Sequence, residues 1–179
     1  MPPTPPFHPR LIIGIGNPGR EYERTYHHAG IAAVHLFLAK KEMDGDAPRH
    51  ATHFDYWKLP SLIIAHATTY MNDSGLAGEE AQKKFGVAPE HILVVHDESD
   101  LPLGTTRCVF GRGAAGHRGV ISIINRLGTK NFWRFRIGIR TGNEKAEHIV
   151  LRKIQKKDSE VFYRGLDAFT KKVMENESP

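Results

Sequence analysis

Three side chains of different chemistry recur in this chain in polar, turn-like surroundings. They are the imidazole of His27 in Thr25-Tyr26-His27-His28, the amide of Asn72 in Tyr70-Met71-Asn72-Asp73, and the carboxylate of Asp97 in His96-Asp97-Glu98. Hydrolysis of an ester by water at neutral pH needs a group that removes a proton from water, a partner that fixes that group's tautomer, and a donor that meets the developing oxyanion. An imidazole, a carboxylate and an amide supply those roles in that order, the carboxylate also stabilising the imidazolium. Residue type alone does not single out His27, because the chain has 11 histidines and chance pairings are easy.

Other chemistries fit less well. Ser74 and Ser99 lie in no nucleophile-elbow pattern, and Cys108 falls in the middle of a strand-like run, so direct attack by water is more economical than a covalent intermediate. Neither His27-His28 nor His91 with His96 has the i, i+4 spacing of a zincin; with no H-E-x-x-H and no cysteine cluster, no metal or other cofactor is expected. Gly14, Gly16 and Gly19 satisfy G-x-G-x-x-G after a strand. A dinucleotide site would need a helix at once, whereas Pro18-Gly19 reads as the middle of a type II turn and helical spacing resumes only near His28.

These groups need a scaffold. Leu11 to Ile15 reads as a buried strand ending in Asn17-Pro18-Gly19, and His28 to Lys41, with Ile31, Val34 and Leu38 at helical spacing, as the first helix. Phe54 to Leu59 and Leu62 to Ala67 predict an antiparallel hairpin through Pro60-Ser61, and Ser74 is expected to cap a helix ending near Phe85. Ile92 to Val95 predicts a strand that delivers His96, Asp97 and Glu98 at its end, where chemistry in α/β sheets tends to sit. Thr105 to Phe110 and Phe135 to Ile139 read as strands, His117 to Leu127 as a helix, and Ser159 to Met174 as an amphipathic helix with Phe162, Leu166, Phe169 and Val173 on one face. The alternation implies an α/β fold: a single-domain, three-layer sandwich with a mixed sheet flanked by helices.

The length of 179 residues fits one domain at 11–179 after a short extended tail at 1–10, and 40% hydrophobic content suffices for one core. The lone Cys108 suits a reducing, cytoplasmic setting. No run is long and apolar enough to span a bilayer, so no membrane association is expected. A net charge of +5 favours polyanionic partners without proving one.

Four ordered blocks then carry a resemblance. Asn17-Pro18-Gly19 with Glu21-Tyr22 and His27 before Ala29-Gly30, Thr69 to Gly75, His96-Asp97-Glu98 with Asp100-Leu101-Pro102 and Gly104, and Gly116-His117-Arg118-Gly119 leading to Arg136 to Ile139 together resemble the bacterial-type peptidyl-tRNA hydrolases. The resemblance implies a phosphorylase/hydrolase-like fold and a cofactor-free, monomeric esterase that frees tRNA from peptidyl-tRNA dropped by ribosomes. It implies catalysis by His27, Asp97 and Asn72, and a cleft for the peptide and terminal adenosine lined by Asn17, Tyr22, Tyr70, Met71, Asn72 and Arg118. The chain departs from the family pattern at His28 and Arg118, which stand where asparagine is usual, at Ala114, and at Val109, often lysine. A guanidinium cannot both donate and accept as an amide does. The alternative reading is therefore a non-catalytic RNA-binding relative.

Overall fold

The structure, a computed structural model, describes residues 4–43 and 45–176. Seven strands, β1 (Leu11–Gly14), β2 (Arg49–His50), β3 (Phe54–Lys58), β4 (Ile63–Ala67), β5 (Ile92–Pro102), β6 (Thr106–Phe110) and β7 (Trp133–Arg140), form one sheet in the order β2-β3-β4-β1-β5-β7-β6. The central strands β4, β1, β5 and β7 run parallel, while β2 with β3, β3 with β4, and β6 with β7 are antiparallel. Parallel strands are buried on both faces, which is why β1 is a continuous apolar run with no exposed residue. The helices are α1 (Ala29–Lys40), α2 (Ser74–Phe85), α3 (Arg118–Leu127), the single-turn α4 (Ala146–Ile149) and α5 (Ser159–Met174).

Residue parity divides the core into two layers. Ile12, Leu93 and Val95 pack with Val34, Phe37 and Leu38 of α1 and with Phe162, Leu166, Phe169 and Val173 of α5. Leu11, Ile13, Ile92 and Val94 pack on the other face with Ala77 and Ala81 of α2 and Val120 and Ile123 of α3. Each fully buried Leu, Ile or Phe contributes about 1.5–3 kcal/mol, and this pins the register. The sheet flanked by helices on both sides is the predicted three-layer α/β sandwich. Among the tail residues, Phe7 packs edge-on against Trp133 at 5.1 Å, which docks the segment on the core; residues 1–3 and 177–179 of the expected tail and domain lie outside the described residues.

The glycines after β1 have a packing explanation. A Cβ on Gly30 would lie 2.1 Å from the Val95 carbonyl oxygen and 2.5 Å from that of Ile15, and one on Gly14 would lie 2.3 Å from the Gly30 carbonyl oxygen. The start of α1 is thus pressed directly onto the ends of β1 and β5. Gly19 adopts φ +106°, as the third position of a type II turn requires.

Several expectations need adjustment. Ser74 is the first residue of α2 rather than its cap; its hydroxyl donates to the Met71 carbonyl at 2.9 Å, and Asp73 precedes the helix. β5 does not stop at Val95 but runs on to Pro102, so His96, Asp97 and Glu98 are strand residues paired with β7. β7 begins two residues before Phe135, at Trp133. The sequence reading left β2 and α4 unassigned, because a two-residue strand and a one-turn helix carry no periodicity.

Candidate active site

His27 sits in a 3-10 turn (Tyr26–His28) between the loop that follows β1 and the first turn of α1. Its backbone N–H donates to the Val150 carbonyl at 2.8 Å, and the preceding Tyr26 N–H bonds Arg152 at 3.3 Å. With Gly30 pressed onto Val95 and Ile15, these bonds fix where the ring can go. Its Nδ1 lies 2.8 Å from Asp97 Oδ1, which leaves Nε2 as the nitrogen available for chemistry.

Asp97 continues the parity of Leu93 and Val95 along the central strand β5, and its side chain is 1% exposed. Burial drives a carboxyl up, but here the His27 and His117 rings outweigh it and hold Asp97 well below the usual carboxylate range. The His117 contact, Nε2 to the same Oδ1 at 3.1 Å, was missed by sequence reasoning. His117 precedes α3 and caps it: its Nδ1 accepts from the Val120 N–H at 3.3 Å. An accepting Nδ1 places the neutral ring's proton on Nε2, which therefore donates to Asp97. Two imidazoles from opposite layers of the sandwich meet on one carboxylate oxygen. The wholly buried His96, kept well below its ordinary pKa by burial, bonds the Asp97 carbonyl through Nδ1 at 2.6 Å and lies edge-on to His117 at 4.6 Å.

A cavity of about 800 Å³ opens over this pair, lined among others by His27, Asp97, Asn17, Tyr70, Met71, Asn72 and Arg118 together with Lys145 to Glu147, Val150 and Leu151. Asn17 Oδ1 accepts the Met71 N–H at 2.8 Å, tying the turn after β1 to the segment before α2. Among the described residues its amide nitrogen has no partner, and Asn17 lines the cleft. Asn72 is exposed on the rim, and among the described residues its amide has no protein partner. Met71 is buried beneath, and Tyr70 is 57% exposed. Tyr22 stands one step back: it does not line the cleft but meets Tyr70 ring edge to face at 6.4 Å. Arg118, the first residue of α3, is exposed without an ion pair among the described residues, and with Asn72 it separates the cleft from an outer groove of about 470 Å³ that reaches Arg126.

All the residues named from the sequence thus converge except Tyr22, which arrives through Tyr70. The residues missed are His117, inside a quoted block but with no role assigned, and the wall from Lys145 to Leu151, where no motif or period marks the sequence. His27, Asp97 and His117 also form a donor set of the kind that holds metals, their ligand atoms lying within 4.8 Å of one another. The Val120 N–H aimed at His117 Nδ1 favours the hydrogen-bonded arrangement instead, because a metal on Nε2 would require a proton where that N–H points.

Comparison with known proteins identifies the family to which the whole fold belongs. A crystal structure of peptidyl-tRNA hydrolase from Acinetobacter baumannii superposes with a TM-score of 0.82 at 32% identity, covering 93% of this chain and 87% of the other. The peptidyl-tRNA hydrolase of Mycoplasmopsis synoviae is 41% identical over 137 residues, 76% of this chain and 72% of its own length. That of Aquifex aeolicus is 39% identical over 132 residues, 73% and 69% of the two chains. A model of the peptidyl-tRNA hydrolase family matches residues 11–176, nearly the whole length over which the sheet, the helices and the cleft are built, and the chain belongs to that family.

Proposed function

We propose that this protein hydrolyses the ester between a peptide and the 3′ end of tRNA, with His27 as general base. The observation that carries the reading is the 2.8 Å bond from His27 Nδ1 to the buried Asp97, which leaves Nε2 at a cleft that also holds two side-chain amides. A water molecule beside Nε2 gives up a proton as its oxygen attacks the ester carbonyl, and Asp97 stabilises the resulting imidazolium. The amide N–H of Asn72 donates to the carbonyl oxygen as it becomes negative. Collapse of the tetrahedral intermediate breaks the bond to the ribose oxygen, which takes the proton back from His27. No step calls for a metal or a cofactor.

Asn17 supports recognition of the peptide, because its free amide nitrogen can meet a peptide carbonyl while its oxygen is engaged. Exposed Tyr70, backed by Tyr22, offers a face on which an unpaired base can stack, and Met71 supplies an apolar floor. Arg118 brings a permanent cation to the rim and suits a phosphate of the substrate's RNA. The enzyme is taken to act as a cytoplasmic monomer. No helix among the described residues is long and apolar enough to cross a membrane.

His27→Ala should abolish turnover of a purified N-blocked aminoacyl-tRNA while leaving the circular dichroism spectrum unchanged. Near-normal hydrolysis by that folded variant would overturn the mechanism. Binding of tRNA by the wild-type protein with no cleavage of the blocked substrate would support the non-catalytic alternative instead.

A further inference from the structure

A buried arginine that the proposed chemistry does not use lies beneath the glycine-rich loop at the cleft. Arg134 of β7 is 2% exposed. In the ladder it stands opposite Val94 of β5 and Val109 of β6, so an aliphatic residue flanks it on each side. Among the described residues no carboxylate pairs with it, and Glu98 is taken by Arg136, whose Nε donates to Glu98 Oε2 at 2.8 Å. Burial lowers the Arg134 guanidinium to about 10, which leaves it charged at neutral pH. A buried charge without a counter-ion costs the fold stability, so its presence calls for another reason.

The hydrogen bond of that guanidinium shows what it serves. An Nη2 N–H donates to the Gly113 carbonyl at 3.0 Å. Gly113 belongs to the loop between β6 and α3, and among the described residues no other hydrogen bond reaches 112–116 from outside that loop and the helix after it. Ala114 packs against the core, but a Cβ on Gly113 or Gly116 would meet nothing within 4 Å. Ala115 and Gly116 hold φ of +48° and +82°, a conformation that strains the alanine. Both residues line the cleft, and the next one is His117, whose Nε2 meets Asp97. A loop so thinly held needs a fixed point if it is to carry an imidazole to a carboxylate.

We propose that Arg134 is a positioning residue, whose bond to Gly113 fixes the loop so that His117 meets Asp97. Arg134 does not line the cleft, so it acts through the loop and touches no substrate. The kinetic part of the inference rests on the hydrolase reading. Because the bond is single, a donor in the right place suffices and the planar fork of arginine is not required.

Substitutions at this position in the full chain test the role. Arg134→Met removes the donor and the buried charge at similar volume, so melting curves should show a fold as stable as wild type or more so. Arg134→Gln keeps a polar end but is too short to reach Gly113, whereas Arg134→Lys keeps a donor that does. With N-acetyl-aminoacyl-tRNA as substrate, the Met and Gln variants should lower kcat by at least about tenfold, and the Lys variant should recover most of the loss. In a His117→Ala background, Arg134→Met should change kcat by less than about threefold, because the loop no longer has an imidazole to deliver. A second readout needs no turnover: trypsin should cut the folded Met and Gln variants after Arg112, inside the loop, at least about tenfold faster than wild type. The proposal is overturned if cutting after Arg112 is unchanged, if kcat stays within about threefold of wild type, or if the two substitutions act additively. It is equally overturned if neither the Met nor the Gln variant folds, which would make Arg134 a part of the core. Should the wild-type protein cleave no substrate, the hydrolase reading fails, while the trypsin rates still decide whether Arg134 holds the loop.

Discussion

Replacing Asp97 by Asn isolates the electrostatic part of the proposed mechanism. Both imidazoles address the same oxygen, Oδ1, at 2.8 and 3.1 Å. An amide that keeps its oxygen in that place preserves both hydrogen bonds and both tautomers, and removes only the negative charge. That charge matters when His27 becomes an imidazolium. Unit charges about 4 Å apart at an effective dielectric of about 20 interact by about 4 kcal/mol, which is about a thousandfold in rate. Single-turnover hydrolysis of N-acetyl-aminoacyl-tRNA should therefore slow by about three orders of magnitude in Asp97→Asn, with substrate affinity nearly unchanged because the carboxylate touches no substrate. The fold should survive, since a neutral group replaces a buried charge of equal size. A folded variant within about tenfold of wild type would refute the claim that the carboxylate stabilises a cationic His27 in the transition state.

Other perturbations test the scaffold. Gly30→Ala puts a methyl group 2.1 Å from the Val95 carbonyl oxygen and 2.5 Å from that of Ile15, both backbone, so denaturant unfolding should show a loss of about 3 kcal/mol or more. Asn17→Ala removes the acceptor for the Met71 N–H and should cost about 1 kcal/mol in the same assay as well as raising KM. Asn17→Asp should restore the stability but not the KM, because a carboxylate accepts from Met71 yet cannot donate to a substrate carbonyl. Tyr26, next to the base, is pushed up to about 12 by burial and by its 2.9 Å bond to Asp158. The unfolded chain then ionises near pH 10 and the folded one near 12. Stability is full below pH 10 and falls by about 3 kcal/mol as pH rises through that window, and Tyr26→Phe should remove this part of the alkaline loss in pH-dependent melting curves.

Much of the fold is legible in the order of the residues. Apolar runs of strand length, helical spacing from Ile31 to Leu38 and from Phe162 to Val173, and turn chemistry at Pro18-Gly19 and Pro60-Ser61 gave the α/β sandwich, because local propensity and burial act along the chain. The ordered motifs also brought His27, Asn72 and Asp97 to notice. Folding in three dimensions is what lets residues 70 positions apart share a hydrogen bond, with His117 joining them from the opposite layer of the sandwich. It also makes the unmarked segment Lys145 to Leu151 a wall of the cleft, and brings Arg134 of β7 to the carbonyl of Gly113. The reason is physical. Sheet order and register are fixed by nonlocal burial of apolar faces, and a contact made across strands or layers leaves no period in the sequence to read.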